Sequence, residues 1–408
     1  AGKTGGMFSD FRKHGCEDYI NGMIKGDGNP DFNESAKYLF AREHNGGIIT
    51  VRNGSFHVES QSANDPYQME IKAIENDSKG KKQFQVTKLD ANLHPTAETA
   101  VRNVKDFDWL DTHLRRKYPF INIPAGPFQS ANEIPINRWM TYLTSHPILR
   151  TSYALQCFRT VNDARAWKDV KSLLDKKDKN LNAEMFRLIE VDPTVGIENL
   201  QENLREAVDT VTADQEHYDR GFNSTVTFIK EASDLERRKV ECYAKLCKEL
   251  DQWSLHLEKI PRQGCGSMSI GLKKVSKELH SLSSEDVKKE KMLAAAGLQN
   301  NVSLHRQSID TWTKTPLILT DLTNKFQKLT SLRFENKLQK KQMSNATGRC
   351  INVLNVYQAE SNHLIHEINK TFRKSVLEFL DYEVSQKQFD LEKIEAIRDH
   401  FKNIDLEN

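Results

Sequence analysis

Residues 101–110 have the sequence VRNVKDFDWL, and their pattern changes halfway along. The first four residues begin as an alternating strand with a single cation, Arg102. From Phe107 onward apolar residues recur at helical spacing as far as Tyr118, and Pro119 follows the last of them. We therefore predict a strand that leads directly into a packed helix, and we interpret Arg102 as a cation on the surface of the sheet.

Short runs of β-branched and aromatic residues precede this junction, separated by Asn-Gly, Asp-Pro and glycine turns. The runs are GGIITVRNGSFHVES (46–60), YQMEIKAIE (67–75) and FQVTKL (84–89). They predict a small antiparallel sheet. After the helix comes an extended proline loop, INIPAGPF (121–128), and two short amphipathic helices close the unit near residue 160.

Strand signals are missing from the sequence between about residues 193 and 408, where apolar residues recur every three or four positions. We predict three long helices, about 194–258, 268–343 and 345–403. Breaks are expected at IPRQGCG and SNATG, and a kink is expected at Pro316. At 1.5 Å per residue each helix would be about 90 Å long, which is typical of an elongated bundle rather than a globular core.

The third predicted helix has an apolar stripe that is broader than the seam of a two-stranded coiled coil. The stripe consists of Ile365, Ile368, Phe372, Val376, Phe379 and Leu380. We predict that a dimer forms on this stripe.

Composition limits the classes of protein to consider. The chain has 408 residues, enough for two domains, and Lys+Arg 59 nearly balances Asp+Glu 57, so any attraction to phosphate groups must come from local patches. No apolar run is long enough to span a bilayer, and no signal-peptide core is evident. The six cysteines show no CxxC pair, so we expect a soluble cytosolic protein without disulfides. The chain begins at Ala1, from which we expect a longer protein with upstream modules.

A group of short motifs occurs in the order seen in one known family. They are KDFDWL (105–110), IPAGP (123–127), Trp139 with Met140, SHP (145–147) and AWK (166–168), with GCEDYI (15–20) near the start. On these motifs the chain resembles the sorting nexins that join a phox-homology (PX) domain to a BAR domain. The resemblance is closest to the subfamily that also carries an SH3 domain.

The resemblance implies an α+β PX domain with a small antiparallel sheet and helices, followed by an all-α three-helix BAR domain that forms an elongated dimer. The implied boundaries are an N-terminal arm or yoke segment at 1–40, a PX-like domain at 41–160, a basic linker or yoke at 161–192 and a BAR domain at 193–408. No cofactor, enzymatic activity or nucleic-acid partner is expected.

The implied function is binding to curved membranes in endocytic or endosomal traffic. The homodimer would be cytoplasmic and peripheral on the plasma membrane or on endosomal vesicles. Its partners would be anionic lipids, phosphoinositides among them, and endocytic proteins bound through modules outside this chain. The alternative is a dimeric helical scaffold for protein partners, with reduced or no lipid binding.

The family's phosphoinositide pocket has an Arg-Tyr pair before the first helix, and this chain has Asn103 and Val104 at those positions. Arg102 is displaced by one residue, which on a strand turns its side chain to the opposite face. The family's Lys after the proline motif is replaced by Gln129, and a second family Arg falls near Asn132. The resemblance therefore predicts a PX fold with a degenerate pocket.

Basic residues are densest between positions 324 and 342, where Glu335 is the one acid. The cations are Lys325, Lys328, Arg333, Lys337, Lys340 and Lys341. A charge run of this kind is often a solvated helix face. With the BAR resemblance, we favour contact with the membrane.

Two further lipid contacts are implied, each with a plain structural alternative. The linker lysines Lys168, Lys171, Lys176 and Lys177 are candidates for lipid binding, although an ordinary solvated linker has the same composition. Phe128, at the tip of the proline loop, is a candidate wedge into the membrane interface, although it can equally pack against its own domain.

Two other motifs are set aside. HLIHEINK (363–370) resembles a zinc-binding helix but has Lys370 where the second histidine of HExxH would fall. GCGSMSIG (264–271) follows a helix and lacks the Lys-Ser/Thr of a phosphate-binding loop, so we interpret it as an interhelical turn. No metal site or catalytic triad is predicted.

Overall fold

The computed structural model describes most of the chain. The described residues are 48–59, 67–76, 80–128, 132–177, 189–192, 199–260, 264–284, 297–299, 302–306, 309, 312, 315–335 and 340–404. The predicted N-terminal arm at 1–40 lies outside these ranges.

Among the described residues, six strands form two small sheets in the N-terminal part. The strands are β1 Ile48–Arg52, β2 Ser55–Glu59, β3 Gln68–Ile74, β4 Gln83–Leu89, β5 Pro95–Asn103 and β6 Ile189–Val191. One sheet has the order β3-β4-β5 and is antiparallel, as predicted. The other has the order β2-β1-β6, and β6 pairs with β1 in parallel.

The β1–β2 hairpin turns at Asn53 and Gly54, whose φ angles are 51° and 66°. Two consecutive positive φ angles are what a two-residue hairpin turn requires, and Asn-Gly is the pair that adopts them most easily. The Asn-Gly turn that the sequence predicted is therefore present. The tip of the hairpin contacts a later helix, because the Gly54 carbonyl accepts a hydrogen bond of 2.9 Å from Asn362.

Eight α-helices with defined bounds follow β5 in the described part of the chain, where residues 297–299, 302–306, 309 and 312 are also helical. They are α1 Val104–Lys117, α2 Glu133–Ser145, α3 Tyr153–Thr160, α4 Ala164–Lys177, α5 Leu200–Leu257, α6 Cys265–Leu282, α7 Thr315–Phe334 and α8 Lys340–Lys402. The first four belong to the α+β part. The first and third of the predicted long helices correspond to α5 and α8, and α6 and α7 cover parts of the second.

The strand-to-helix change at residues 101–110 is confirmed, since β5 ends at Asn103 and α1 begins at Val104. Asn103 accepts a hydrogen bond of 2.9 Å from the Lys105 N–H, and Asp106 accepts one of 3.0 Å from the Asn103 N–H. This reciprocal capping box satisfies N–H groups that the first turn of a helix leaves without partners. It fixes where the strand stops and the helix starts.

Aromatic side chains fill the core of the α+β part, with Phe107 of α1 near its centre. The Phe107 ring lies 5.7 Å from Phe84, 5.1 Å from Phe158 and 6.0 Å from Phe128, measured between ring centroids. Phe128 in turn meets Trp139 of α2 edge to face at 4.9 Å. These contacts join the sheet, three helices and the proline loop in one hydrophobic core.

The chain divides into two compact units. The first contains Ala1–Asp219 with Leu304–Ile368, and therefore holds the α+β part, the start of α5, all of α7 and the start of α8. The second contains Arg220–Ser303 with Asn369–Asn408, which is the rest of α5, all of α6 and the rest of α8.

Two of the predicted helix ends need correction. SNATG does not break a helix, because residues 344–348 lie inside α8, where an added Cβ at Gly348 would meet nothing within 4 Å. The kink predicted at Pro316 stays a prediction, because residues 313 and 314, directly before α7, lie outside the described residues. Most of GCGSMSIG belongs to α6, and the turn is confined to Gly264, with a φ of 78°.

The segment predicted as a linker, 161–192, contains a packed helix. Trp167 and Leu174 of α4 are each 5% exposed. Trp167 contacts Phe158 and Trp109 at ring-centroid distances of 5.8 and 5.2 Å. Within the residues described, α4 is therefore part of the α+β fold rather than a solvated connection.

Candidate functional site

Arg102 lies in the core of the α+β part, so the interpretation as a surface cation is wrong. Its side chain is 2% exposed, and its guanidinium donates hydrogen bonds to the carbonyls of Val101 at 2.7 Å and Val161 at 2.5 Å. On β5, Ala100 and Arg102 face inward while Val101 faces outward. The one-residue offset does turn Arg102 to the other face, but α3 and α4 cover that face.

Aromatic rings compensate part of the cost of burying this charge. The guanidinium carbon lies 4.3 Å from the centroid of the Trp167 ring and 5.3 Å from that of Phe158. Burial lowers the pKa of Arg102 to about 10, although the charge of Asp106 acts in the opposite direction. At neutral pH Arg102 is therefore a buried cation that donates to backbone carbonyls, and these bonds hold it away from any ligand in solvent.

The other predicted pocket positions are occupied by helix ends. Asn103 caps α1, and Val104 is the first residue of that helix and half-buried. Asn132, near the position of the family's second Arg, caps α2 by accepting a hydrogen bond of 3.1 Å from the Ile134 N–H. Gln129 lies outside the described residues. Two positions that would carry pocket side chains in the family thus cap the first turns of helices here.

Phe128 is buried and cannot act as a membrane wedge in this conformation, so that prediction is corrected. Its side chain is 7% exposed and lies between Phe107 and Trp139. A Cβ atom at Gly126 would fall 1.9 Å from the Phe128 ring, so glycine is needed there for the loop to fold over the ring. The proline loop thus turns its aromatic residue inward.

The lysines predicted for lipid binding on the linker divide into two groups. Lys171, whose side chain is 26% exposed and whose lipid assignment stays a prediction, forms an ion pair of 2.6 Å with Asp106. This bond and one of 2.8 Å from Trp167 Nε1 lower the pKa of Asp106 against the effect of its burial. Lys168 and Lys176 are exposed, and the side chain of Lys177 lies outside the described part.

The basic segment, defined as residues 324–342, begins on α7 and continues into α8. Lys328, Arg333 and Lys340 are exposed, and Lys325 is half-buried. Lys337 and the side chain of Lys341 are outside the described residues. The last buried apolar residue of α7 is Leu329, so the cations of this segment continue beyond the point where the helix core ends.

In the second unit, α8 exposes a regular apolar stripe. Leu377, Val384 and Leu391 are spaced seven residues apart and are 49, 57 and 57% exposed. Leu380, Ile394 and Phe401 occupy the second apolar position of the same heptad, three residues after the first, and are also exposed. Ile368 of the predicted dimer stripe is instead 1% exposed, because it packs within its own chain. The stripe available to a partner is therefore shifted toward the C-terminus.

A buried polar junction joins the α+β part to α8 inside the first unit. Glu360 of α8 and His146 at the end of α2 are both 0% exposed, and His146 Nε2 lies 3.0 Å from a carboxylate oxygen of Glu360. The other carboxylate oxygen of Glu360 accepts a hydrogen bond of 2.6 Å from the Asn122 N–H. One carboxylate thus holds the proline loop and α2 against the helix.

His146 is held in its neutral form by the backbone around it. Its Nδ1 accepts hydrogen bonds from the Ile148 N–H at 3.2 Å and the Leu149 N–H at 3.3 Å. A proton on Nδ1 would face these two donors, so the ring proton belongs on Nε2, where it is donated to Glu360. Burial, together with the charge of Arg150, lowers the pKa of His146 to about 3.

His363, from the motif set aside as a zinc helix, belongs to the same junction. Its ring meets that of His146 edge to face at 4.5 Å between centroids. Burial and His146 lower its pKa to about 4, while Glu360 and Glu367 act to raise it. Nowhere in the described ranges do three or more His, Cys, Asp or Glu side chains gather as metal ligands. In the same ranges, no helix is long and apolar enough to span a bilayer.

Comparison with known proteins finds several sorting nexins that are similar to parts of this chain. The chain is 27% identical over 128 residues to sorting nexin MVP1 of Cryptococcus neoformans, 31% over 115 residues to sorting nexin-18 of Mus musculus, and 29% over 175 residues to sorting nexin-33 of Homo sapiens. These matches cover 29, 25 and 40% of this chain and 20, 18 and 29% of the relatives, well under two thirds of each relative. No family model matches the chain.

A solved structure extends the comparison to most of the fold. The chain is similar to the SNX-BAR Mvp1 tetramer determined by cryo-EM, with a TM-score of 0.58 and 14% sequence identity. The match covers 82% of this chain and 100% of the other. The predicted resemblance to PX–BAR sorting nexins and the predicted fold class are therefore confirmed.

Two features of the site were missed at the sequence level. The capping box has a local signal, an Asn followed three residues later by an Asp before an apolar run, and could have been recognised. The Glu360–His146 contact joins residues 214 positions apart and has no such signal. It becomes visible only once the two elements are placed side by side.

We predict that the first unit loses stability as the pH falls below about 6.5, the ordinary pKa of histidine. His146 and His363 have lowered pKa values in the folded protein, so the unfolded chain binds protons first and acid favours unfolding. Each histidine should cost about 2 kcal/mol by pH 5. The measurement is the free energy of unfolding in urea as a function of pH.

The comparison is with His146→Gln/His363→Gln, in which the pH dependence between 6.5 and 5 should become shallower. His305, whose pKa is also lowered by burial to about 4, contributes equally in both proteins. The matched control is His94→Gln, because that histidine is exposed. An equal slope in the wild type and the double variant would contradict the assignment of neutral histidines to this junction.

Proposed function

This chain is similar in sequence to sorting nexins and has their PX–BAR fold, and from this premise we propose that it is a peripheral membrane-binding scaffold that works as a dimer in membrane traffic. The observation that carries the proposal is the exposed heptad stripe on α8. An apolar stripe with seven-residue spacing on a long helix is suited to another helix rather than to water. A second copy of the chain provides such a helix.

The domain limits form part of the proposal. The PX domain would occupy residues 41–160, residues 161–192 would join the domains, and the BAR domain would occupy 193–408. The packing of α4 on the α+β part supports a joining segment that adds to the PX fold. Sensing or shaping of membrane curvature, and action on endocytic or endosomal membranes, follow from the relationship to sorting nexins.

Lipid attraction is assigned to the basic segment. Cations near an anionic leaflet contribute on the order of 1 kcal/mol each, and the effect weakens with salt over a Debye length. The exposure of Lys328, Arg333 and Lys340 supports this assignment. Lys168 and Lys176 on α4 are exposed as well and provide a secondary basic surface.

The PX pocket is proposed to be degenerate. A phosphate in a protein site needs cations, because a charge-assisted hydrogen bond contributes about 1.5 to 3 kcal/mol. Arg102 is buried among carbonyls, and Asn103 and Asn132 cap helices. These positions also favour the second candidate function, a dimeric scaffold for protein partners with reduced lipid binding. Endocytic proteins would bind through modules outside this chain.

We predict that Lys328→Glu/Arg333→Glu/Lys340→Glu reduces co-sedimentation with phosphatidylserine vesicles by more than tenfold at low salt, since attraction is replaced by repulsion. The control is Lys230→Glu/Lys248→Glu, which reverses exposed lysines of α5 outside the segment. If the wild type does not pellet, or if both sets of variants bind as the wild type does, the lipid assignment is wrong and the protein-scaffold alternative gains support.

We predict that the wild type shows no preference for any phosphoinositide over phosphatidylserine at equal surface charge, measured by competition between soluble head groups and vesicles. Arg102→Met should lower the free energy of unfolding by about 2 to 4 kcal/mol, because carbonyls are left without donors, and should not change lipid preference. Lys105→Met, at an exposed neighbouring position, is the control for stability. A head-group preference that disappears in Arg102→Met would show that Arg102 binds ligand.

We predict that Val384→Glu/Leu391→Glu converts the dimer to a monomer, measured by light scattering after size-exclusion chromatography. Burying two carboxylates in an apolar seam costs several kcal/mol per charge. Ser385→Glu/Gln388→Glu adds the same charge at exposed positions beside the stripe and should leave the dimer intact. A wild-type monomer, or equal effects of both pairs, would refute the assigned seam.

A further inference from the structure

The last residue of α7 is an aromatic residue that faces solvent. Phe334 is 84% exposed, although α7 is buried on its inner side as far as Leu329. At 100° per residue, five positions place Phe334 about 140° around the helix from Leu329, which turns its ring away from the core. Its exposure therefore follows from the geometry of the helix.

The surroundings of Phe334 are polar and cationic. Arg333 precedes it and is exposed, and Lys340 begins the next helix and is also exposed. Glu335 is the single acid of the whole basic segment. The most exposed large apolar side chain in the described residues thus lies within the most basic part of the chain.

The pattern before Phe334 does not resemble a surface for another helix. The positions three, four and seven residues earlier, which share its face, are Ser331, Thr330 and Gln327. On α8 the exposed apolar residues instead repeat every seven positions. A single aromatic ring among polar and cationic residues matches a membrane interface, where the ring enters the region below the head groups while cations meet lipid phosphates.

We propose that Phe334 inserts into the interface of an anionic bilayer and that Arg333 and Lys340 hold it there. This inference rests on the proposed lipid function of the basic segment and adds an apolar anchor to it. It also relocates the wedge that the sequence placed at Phe128, which is buried. Because insertion is apolar, its contribution persists in salt that screens the lysines.

The test begins with binding of the full chain to vesicles of phosphatidylcholine and phosphatidylserine at low and high salt. Phe334→Ser should weaken binding about tenfold at both salt concentrations, the amount expected for loss of one buried aromatic ring. Leu317→Ser is the matched control, since Leu317 is 68% exposed on the same helix but about 25 Å from Phe334 along its axis. It should bind as the wild type does.

A second readout locates the side chain directly. In Phe334→Trp the added fluorescence, measured as the difference from the wild type, should be quenched by lipids brominated near the top of their acyl chains. The added fluorescence of Leu317→Trp should not be quenched. Quenching at position 334 alone would support insertion.

Several outcomes would overturn the inference, and they differ from failure of the proposed function. If the wild type binds, charge reversal of the basic segment abolishes binding, and Phe334→Ser has no effect, the lipid function stands and the anchor is refuted. If Phe334→Ser changes the oligomeric state without vesicles, the residue belongs to an interface between proteins. If the wild type does not bind vesicles, the proposed function and the anchor both fail.

Discussion

The arrangement of the first unit depends on the two hydrogen bonds made by the carboxylate of Glu360. It is fully buried, and its two oxygens bind the Asn122 N–H of the proline loop and His146 of α2. A buried carboxylate is costly unless it is hydrogen-bonded, so removal of either partner would leave an uncompensated charge. The same contact fixes the α+β domain on α8, the helix whose first residues belong to the basic segment.

Buried polar groups do similar structural work inside the α+β domain. Arg102 donates to carbonyls of Val101 and Val161, and Asp106 accepts from Trp167 and Lys171. These bonds join β5 to the segment between α3 and α4, and they join α1 to α4.

The sequence was sufficient to predict the antiparallel sheet, the helix that follows it and the resemblance to PX–BAR proteins. The Asn53-Gly54 turn, the helix after Asn103 and the long amphipathic helices all have local signals in spacing and turn residues. Burial of individual side chains has no such signal. Arg102 and Phe128 were assigned to the surface because their partners, Val161 and Trp139, lie on other elements.

The same limit explains the missed strand and the relocated stripe. β6 has three residues and pairs in parallel with β1, about 140 positions earlier in the chain, so no local period marks it. Ile368 and Leu377 are both apolar residues of α8, and only the packing of the chain shows that the first is buried within it while the second is exposed. Helical spacing identifies apolar residues but does not say which neighbour will cover them.

The central claim is that the basic segment and Phe334 bind the membrane, and that the PX pocket does not. Hydrogen–deuterium exchange of the full chain, with and without phosphatidylserine vesicles, tests it most directly. The account predicts protection of peptides that cover residues 324–342 and unchanged exchange at residues 101–106 and 123–128. Protection confined to residues 101–106 and 123–128, with none in the basic segment, would contradict it.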